Sequence, residues 1–236
     1  MKLLVANPNI SESVTRLIGE EARRAASPGT EITLLTAPFG VEYIETELEA
    51  LIGAYASLIR ISENLADHDA IVMAAFGDPG LSALREAFDR PVVGLTEAAL
   101  GRAAELAQRF SIIAISPRIG AWYRAVVERY GYGTRLASIR SLDATIRDIG
   151  GVQDEHAVRL RALCEAAKED GAGALILAGA PLAGLARRIG DLGVPLVDPI
   201  AAAVQQAERA PRLPYVPPPK KRNAGLPEAI RRVLSG

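Results

Sequence analysis

Asp78 stands in the string Phe76-Gly77-Asp78-Pro79-Gly80-Leu81, directly after the apolar run 70–75. A carboxylate in a small-residue turn at the end of a strand can serve as a general base or accept a hydrogen bond from a ligand N–H. It can equally cap the helix that Pro79 begins, the commonest fate of an Asp before Pro at a helix start. Three further side chains occupy turn positions. Glu97 and Asp198 follow the short strands expected at 91–95 and 194–197, and Ser116 ends the strand expected at 110–116.

The other chemistry-bearing residue types offer less. Cys164 is the only cysteine, which excludes an intrachain disulfide framework and a multi-cysteine zinc site. It shares a helical face with Ala157, Leu160 and Ala167, the setting of a buried structural thiol. Of the two histidines, His68 precedes a buried strand and His156 sits at a helix start, where it is expected to be solvated. No Ser/His/Asp arrangement stands out, and the glycines match neither G-x-G-x-x-G nor the Walker pattern. Neither a metal nor a cofactor is expected.

Composition narrows the class. Net charge is −1 with the two signs interspersed, so nucleic acid and membrane surfaces are not expected partners. The start, MKLLVANPN, lacks a signal-peptide pattern, and no run of 18 apolar residues occurs. A cytoplasmic protein is the expectation.

The elements that must position these residues come from a repeat. Residues 70–81 (AIVMAAFGDPGL) and 174–185 (ALILAGAPLAGL) match at a spacing of 104, with Ala70, Ala74, Gly80 and Leu81 recurring at Ala174, Ala178, Gly184 and Leu185. The register holds through Pro91/Pro195, Val93/Val197 and Ala98-Ala99/Ala202-Ala203. Each copy is an apolar strand running into a small-residue turn, and the two matched turn positions hold Ala75 and Gly179. Strands are also expected at 2–6, 31–36 and 135–139, with helices at 11–26, 45–65, 81–88, 97–108, 119–130, 155–169, 200–208 and 227–234. Residues 141–153 read as a polar loop or short helix.

Strands alternating with helices, done twice, predict an α/β fold of two pseudo-symmetric lobes, each a parallel sheet flanked by helices, with an active-site cleft between them. The first lobe covers 1–96 and the second 97–205. A proline-rich crossing through Pro211, Pro214 and Pro217-Pro218-Pro219, then Lys220-Lys221-Arg222-Asn223, leads to the last helix, expected to return to the first lobe. Ligands of parallel sheets bind beyond the carboxyl ends of the strands, so the turns 7–11, 76–80, 116–118 and 179–184 should surround a small-molecule site. Helix N-termini after such turns favour an anion or a carbonyl oxygen.

At these residues the chain resembles the aspartate/glutamate racemase superfamily, within it the hydantoin and allantoin racemase branch. The matching pieces are Asn7-Pro8-Asn9, the 76–81 string, Pro91-Val92-Val93-Gly94 with Glu97-Ala98-Ala99, and Lys221-Arg222-Asn223-Ala224-Gly225. The resemblance implies a substrate lining of Asn9, Tyr43, Ala75, Phe76, Gly77, Ser116, Gly179, Ala180 and Pro181. It also implies a homo-oligomer and proton transfer by two cysteines, one per lobe, at the positions occupied here by Ala75 and Gly179. Without those thiols, Asp78, Glu97, Ser116 and Asp198 are the catalytic candidates, with Tyr43 nearby. The expected function is racemisation of a hydantoin or similar amino-acid-derived compound without thiols. The alternatives are another enzyme on this scaffold (a lyase, decarboxylase or cyclic-amide hydrolase) or a non-catalytic ligand-binding homologue.

Overall fold

The computed structural model describes residues 1–210, 214, 216 and 224–235. Its first half runs β1 (Lys2–Asn7), α1 (Glu12–Ala25), β2 (Glu31–Thr36), α2 (Glu47–Asn64), β3 (Ala70–Met73), α3 (Leu81–Ala87), β4 (Val92–Gly94) and α4 (Leu95–Leu106). The second half runs β5 (Phe110–Ala114), α5 (Gly120–Arg129), β6 (Leu136–Ser141), α6 (Val152–Glu155), α7 (Ala157–Glu169), β7 (Ala174–Leu177), α8 (Leu185–Ile189), β8 (Leu196–Val197) and α9 (Pro199–Arg209). The last helix is α10 (Glu228–Ser235). Pro211, Pro217-Pro218-Pro219 and the Lys220–Asn223 stretch lie outside the described residues.

Two parallel four-stranded sheets form, in the orders β2-β1-β3-β4 and β6-β5-β7-β8. The orders are the same under the repeat, so the expected pair of α/β lobes is present. Alternation along each strand separates the layers. Leu3, Val5 and Val72 face a central core shared by both lobes, whereas Leu4, Ala6, Ile71 and Met73 face an outer core with Ile61, Leu81 and Leu84. Both faces are covered, so the strands are apolar throughout rather than alternating with polar residues. Leu175 and Leu177 meet Leu160 and Cys164 of α7 in the outer core of the second sheet.

The lobes exchange helices. α4 leaves the first sheet and packs on β7, β8 and α9. α9, within the residues 97–205 assigned from sequence to the second lobe, packs on β3, β4 and α1. α10 packs on α2, with Ile230 buried. Gly80 and Gly184, matched in the repeat, both adopt positive φ (69° and 79°) at the starts of α3 and α8. A side chain at 80 would also come within 2.6 Å of Ala54.

Local caps explain where the helices start. Ser11 caps α1 through its oxygen and the Val14 N–H, 3.3 Å, and Thr46 with Glu49 forms a capping box on α2. β3 stops at Met73, short of the expected Ala75, because the Ala75 N–H turns back to the Met73 carbonyl.

Candidate active site

The carboxyl ends of β1, β3 and β7 and the loop 37–46 converge on one closed cavity of about 20 Å³. Asn9, Tyr43, Ala75, Phe76, Gly179, Ala180 and Pro181 line it, with Ile44, Ala74 and Tyr123. Ser116 and Gly77, also expected there, are placed elsewhere. The Gly77 N–H donates to Thr96 Oγ1 at 2.6 Å, and a side chain at 77 would overlap the Trp122 ring. Ser116 instead lines an adjoining cavity of about 250 Å³ with Glu42, Tyr43, Glu45 and Arg147.

Tyr43 belongs to both cavities. Part of its residue surface is exposed, but its hydroxyl is buried and makes no regular hydrogen bond. Tyr123, from α5, stands close enough for the two phenols to perturb each other's titration. Burial pushes both pKa values well up, so both are neutral hydrogen-bond donors across the physiological range. The Tyr123 ring packs on Phe76, centroids 4.7 Å apart. Asn9 is oriented by Asn7: the Asn7 amide donates to Asn9 Oδ1 at 2.9 Å, and the Ser11 N–H donates to the same oxygen at 2.9 Å. That leaves Asn9 Nδ2 without a bond among the described residues.

The three candidate carboxylates do not reach this cavity. Asp78 accepts from the Thr96 N–H at 2.8 Å, the Glu97 N–H at 2.9 Å and the Tyr130 hydroxyl at 2.7 Å. It caps a helix, as one sequence reading held, but the helix is α4, 18 residues on, rather than α3. This also starts α4 at Leu95 instead of the expected Glu97. Glu97 closes a capping box on the Gly94 N–H and pairs with Arg85. Asp198 caps α9 through Ile200 and Ala201 and accepts from the Gly184 N–H at 2.6 Å. Their oxygens are committed to backbone donors, so the general-base role is corrected for all three.

Burial raises Asp78 and Asp198 to about 6 against these stabilising bonds. Ser116 Oγ donates to Glu45 Oε1 at 2.5 Å, and Arg118 approaches the same carboxylate at 3.8 Å. This ties the loop bearing Tyr43 to the second lobe. Cys164 is fully buried, with its thiol pushed up to about 12. His156, expected to be solvated, turns inward, its side chain only 10% exposed and its Nε2 unpartnered. Among the described residues, no cluster of three or more potential metal ligands occurs. No helix among them is long and apolar enough to cross a membrane.

Sequence reasoning missed Tyr123. The signal was available: it lies in the first turn of the helix after the Ser116 turn, and those first turns point at the site.

Two parallel sheets related by an internal repeat, with a small cavity closed between matched turns, define a pseudo-symmetric two-lobed α/β scaffold. The chain belongs to the Asp/Glu/Hydantoin racemase family, whose sequence profile matches residues 3–207. It is 37% identical over 222 residues to a hydantoin racemase of Paenarthrobacter aurescens, covering 91% of this chain and 93% of that one. A hydantoin racemase of Pseudomonas sp. (strain NS671) is 34% identical over 211 residues, covering 88% and 85%. The solved allantoin racemase from Klebsiella pneumoniae superposes with a TM-score of 0.84 at 36% identity, covering 89% of this chain and 86% of that one.

Proposed function

We propose that the protein is a racemase acting on a hydantoin or a similar small amino-acid-derived ring, moving the proton alpha to a carbonyl without thiols. The observation that carries this reading is the closed cavity between the matched turns, in a chain similar over nearly its whole length to hydantoin and allantoin racemases. No carboxylate, histidine, lysine or cysteine lines that cavity. Its polar side chains are two neutral phenols and an amide. Such donors suit the ring carbonyl oxygen, which gains negative charge as the adjacent C–H bond breaks. The C–H proton passes to a water on one side of the ring and a proton returns from water on the other. This route is slower than one with a positioned base on each face.

A space of about 20 Å³ holds about one water, so substrate entry requires an opening. Tyr43 is the wall between this space and the 250 Å³ vestibule, and the Glu45–Ser116 bond holds its loop. Withdrawing Tyr43 would join the two spaces into one large enough for a substituted five-membered ring.

The test is solvent-deuterium exchange at C5 of a panel of 5-substituted hydantoins, followed by proton NMR. Exchange above buffer that is lost in Tyr123→Phe supports the reading. Absence of exchange across the panel overturns it. If thermal stabilisation by those compounds persists, a ligand-binding role replaces it.

A further inference from the structure

Ten large apolar side chains are exposed among the described residues, and six of them form one patch. Leu48, Leu51, Ile52 and Tyr55 follow one another at spacings of three and four along α2, opposite the buried Ala50, Gly53, Ala56, Ser57 and Ile61. Phe39 joins them, its ring centroid 6.3 Å from that of Tyr55. Ile10 is held beside this loop by its N–H to the Val41 carbonyl, 3.0 Å. Leu48 and Leu51 are 68% and 69% exposed with α10 already packed on α2, so the terminal helix does not cover this face. Met1, Leu106, Val158 and Val216 are scattered singly and need no explanation.

We propose that this face of α2 is the interface with a second copy of the chain, the two α2 helices packing antiparallel across a two-fold axis. The six side chains expose on the order of 600 Å² of largely apolar surface, the upper end for a monomer and most of the roughly 800 Å² per partner in a stable interface. The charges are self-complementary. Acidic Glu45, Glu47 and Glu49 stand at the start of α2, and Arg60 stands in its last turns, beside Arg16 and Glu12 in a groove of about 900 Å³. Placing Ile52 of one copy against Tyr55 of the other sets Leu48 opposite Ile59 and Glu47 opposite Arg60, at both ends of the pair. Within one copy Glu47 has no ion-pair partner among the described residues, and Arg60 meets only Glu63, at 3.6 Å. An isologous contact of this kind satisfies both copies with one patch.

Sedimentation velocity on the full chain at micromolar concentration tests the proposal. The wild-type protein is expected to be an even-numbered assembly. Leu51→Lys, at a position already exposed, should halve its mass without shifting the thermal unfolding of the separated chains. Glu47→Arg and Arg60→Glu should each weaken association about tenfold, and the Glu47→Arg/Arg60→Glu double variant should recover it to within about threefold. A wild-type monomer at all concentrations overturns the proposal. So does a mass unaffected by Leu51→Lys, or a charge swap that recovers nothing.

Discussion

The carboxylate of Asp78 occupies the space that a side chain at Gly94 would fill. The 104-residue repeat explains this relationship. Gly94 matches Asp198, and Asp78 matches Leu182. In the second lobe the carboxylate stands on the helix start and reaches back to the turn at Gly184. In the first it stands on the turn and reaches forward to the helix start at Thr96 and Glu97. One link between turn and helix is made from opposite ends. Gly94 and Asp198 share an extended N-cap conformation, with φ of −93° and −88°.

Moving the carboxylate should therefore be possible, but only as a pair of changes. Gly94→Asp alone forces a second carboxyl onto Asp78 and should destabilise by about 2 kcal/mol or more through overpacking and like charge. Asp78→Gly alone uncaps α4 and leaves buried donors unpaired, at a cost of about 1–3 kcal/mol. The double variant should be more stable than the sum of the singles allows, by about 2 kcal/mol, in a double-mutant cycle from urea denaturation.

Acidification should stabilise the fold over a defined window. Asp78 and Asp198 are raised to about 6, above the roughly 3.9 of an unfolded chain. Between those values the native state holds protons that the unfolded state has released. Their contribution is fully present below about pH 4 and lost as pH rises through 6. From pH 5 to 7.5 these two groups should lower unfolding free energy by on the order of 2 kcal/mol. Asp78→Asn and Asp198→Asn should each remove about half of that slope, measured by urea denaturation across pH.

Restoring thiols tests whether the cavity is where protons move. Ala75→Cys needs no unusual backbone, because Ala75 has no positive φ. Gly179 has φ 103°, so Gly179→Cys carries strain of about 1–3 kcal/mol, although its Cβ would meet only ordinary contacts 3.6 Å from Pro181 and 4.0 Å from the Tyr123 hydroxyl. The double variant should raise C5 deuterium exchange at least about a hundredfold over either single. No gain in a folded double variant would place proton transfer elsewhere.

Loosening the loop should separate entry from chemistry. Ser116→Ala removes the bond to Glu45 that holds the loop carrying Tyr43. Its expected effect on exchange kinetics is a change in KM of several-fold with kcat altered less. Tyr43→Phe keeps the wall and removes the donor, so kcat should fall about tenfold or more while KM holds. Steady-state exchange rates for the two variants distinguish the roles.

The two lobes, their strand-turn repeat and the cavity between residues 75 and 179 are legible in the amino-acid sequence, because they rest on local patterns. Apolar runs of four to six residues, glycines at matched positive-φ turns and helical periodicity act within a few residues of themselves. The fates of Asp78, Glu97 and Asp198 are not legible. Whether a carboxylate caps a helix or faces a ligand depends on donors such as Thr96 and Gly184, brought close by the sheet rather than by the chain. The same holds for Tyr123, which reaches Tyr43 only when α5 of one lobe meets the 37–46 loop of the other. Sequence determined where the chain would turn; tertiary packing decided which polar groups at those turns were already bonded and which remained free to face the cavity.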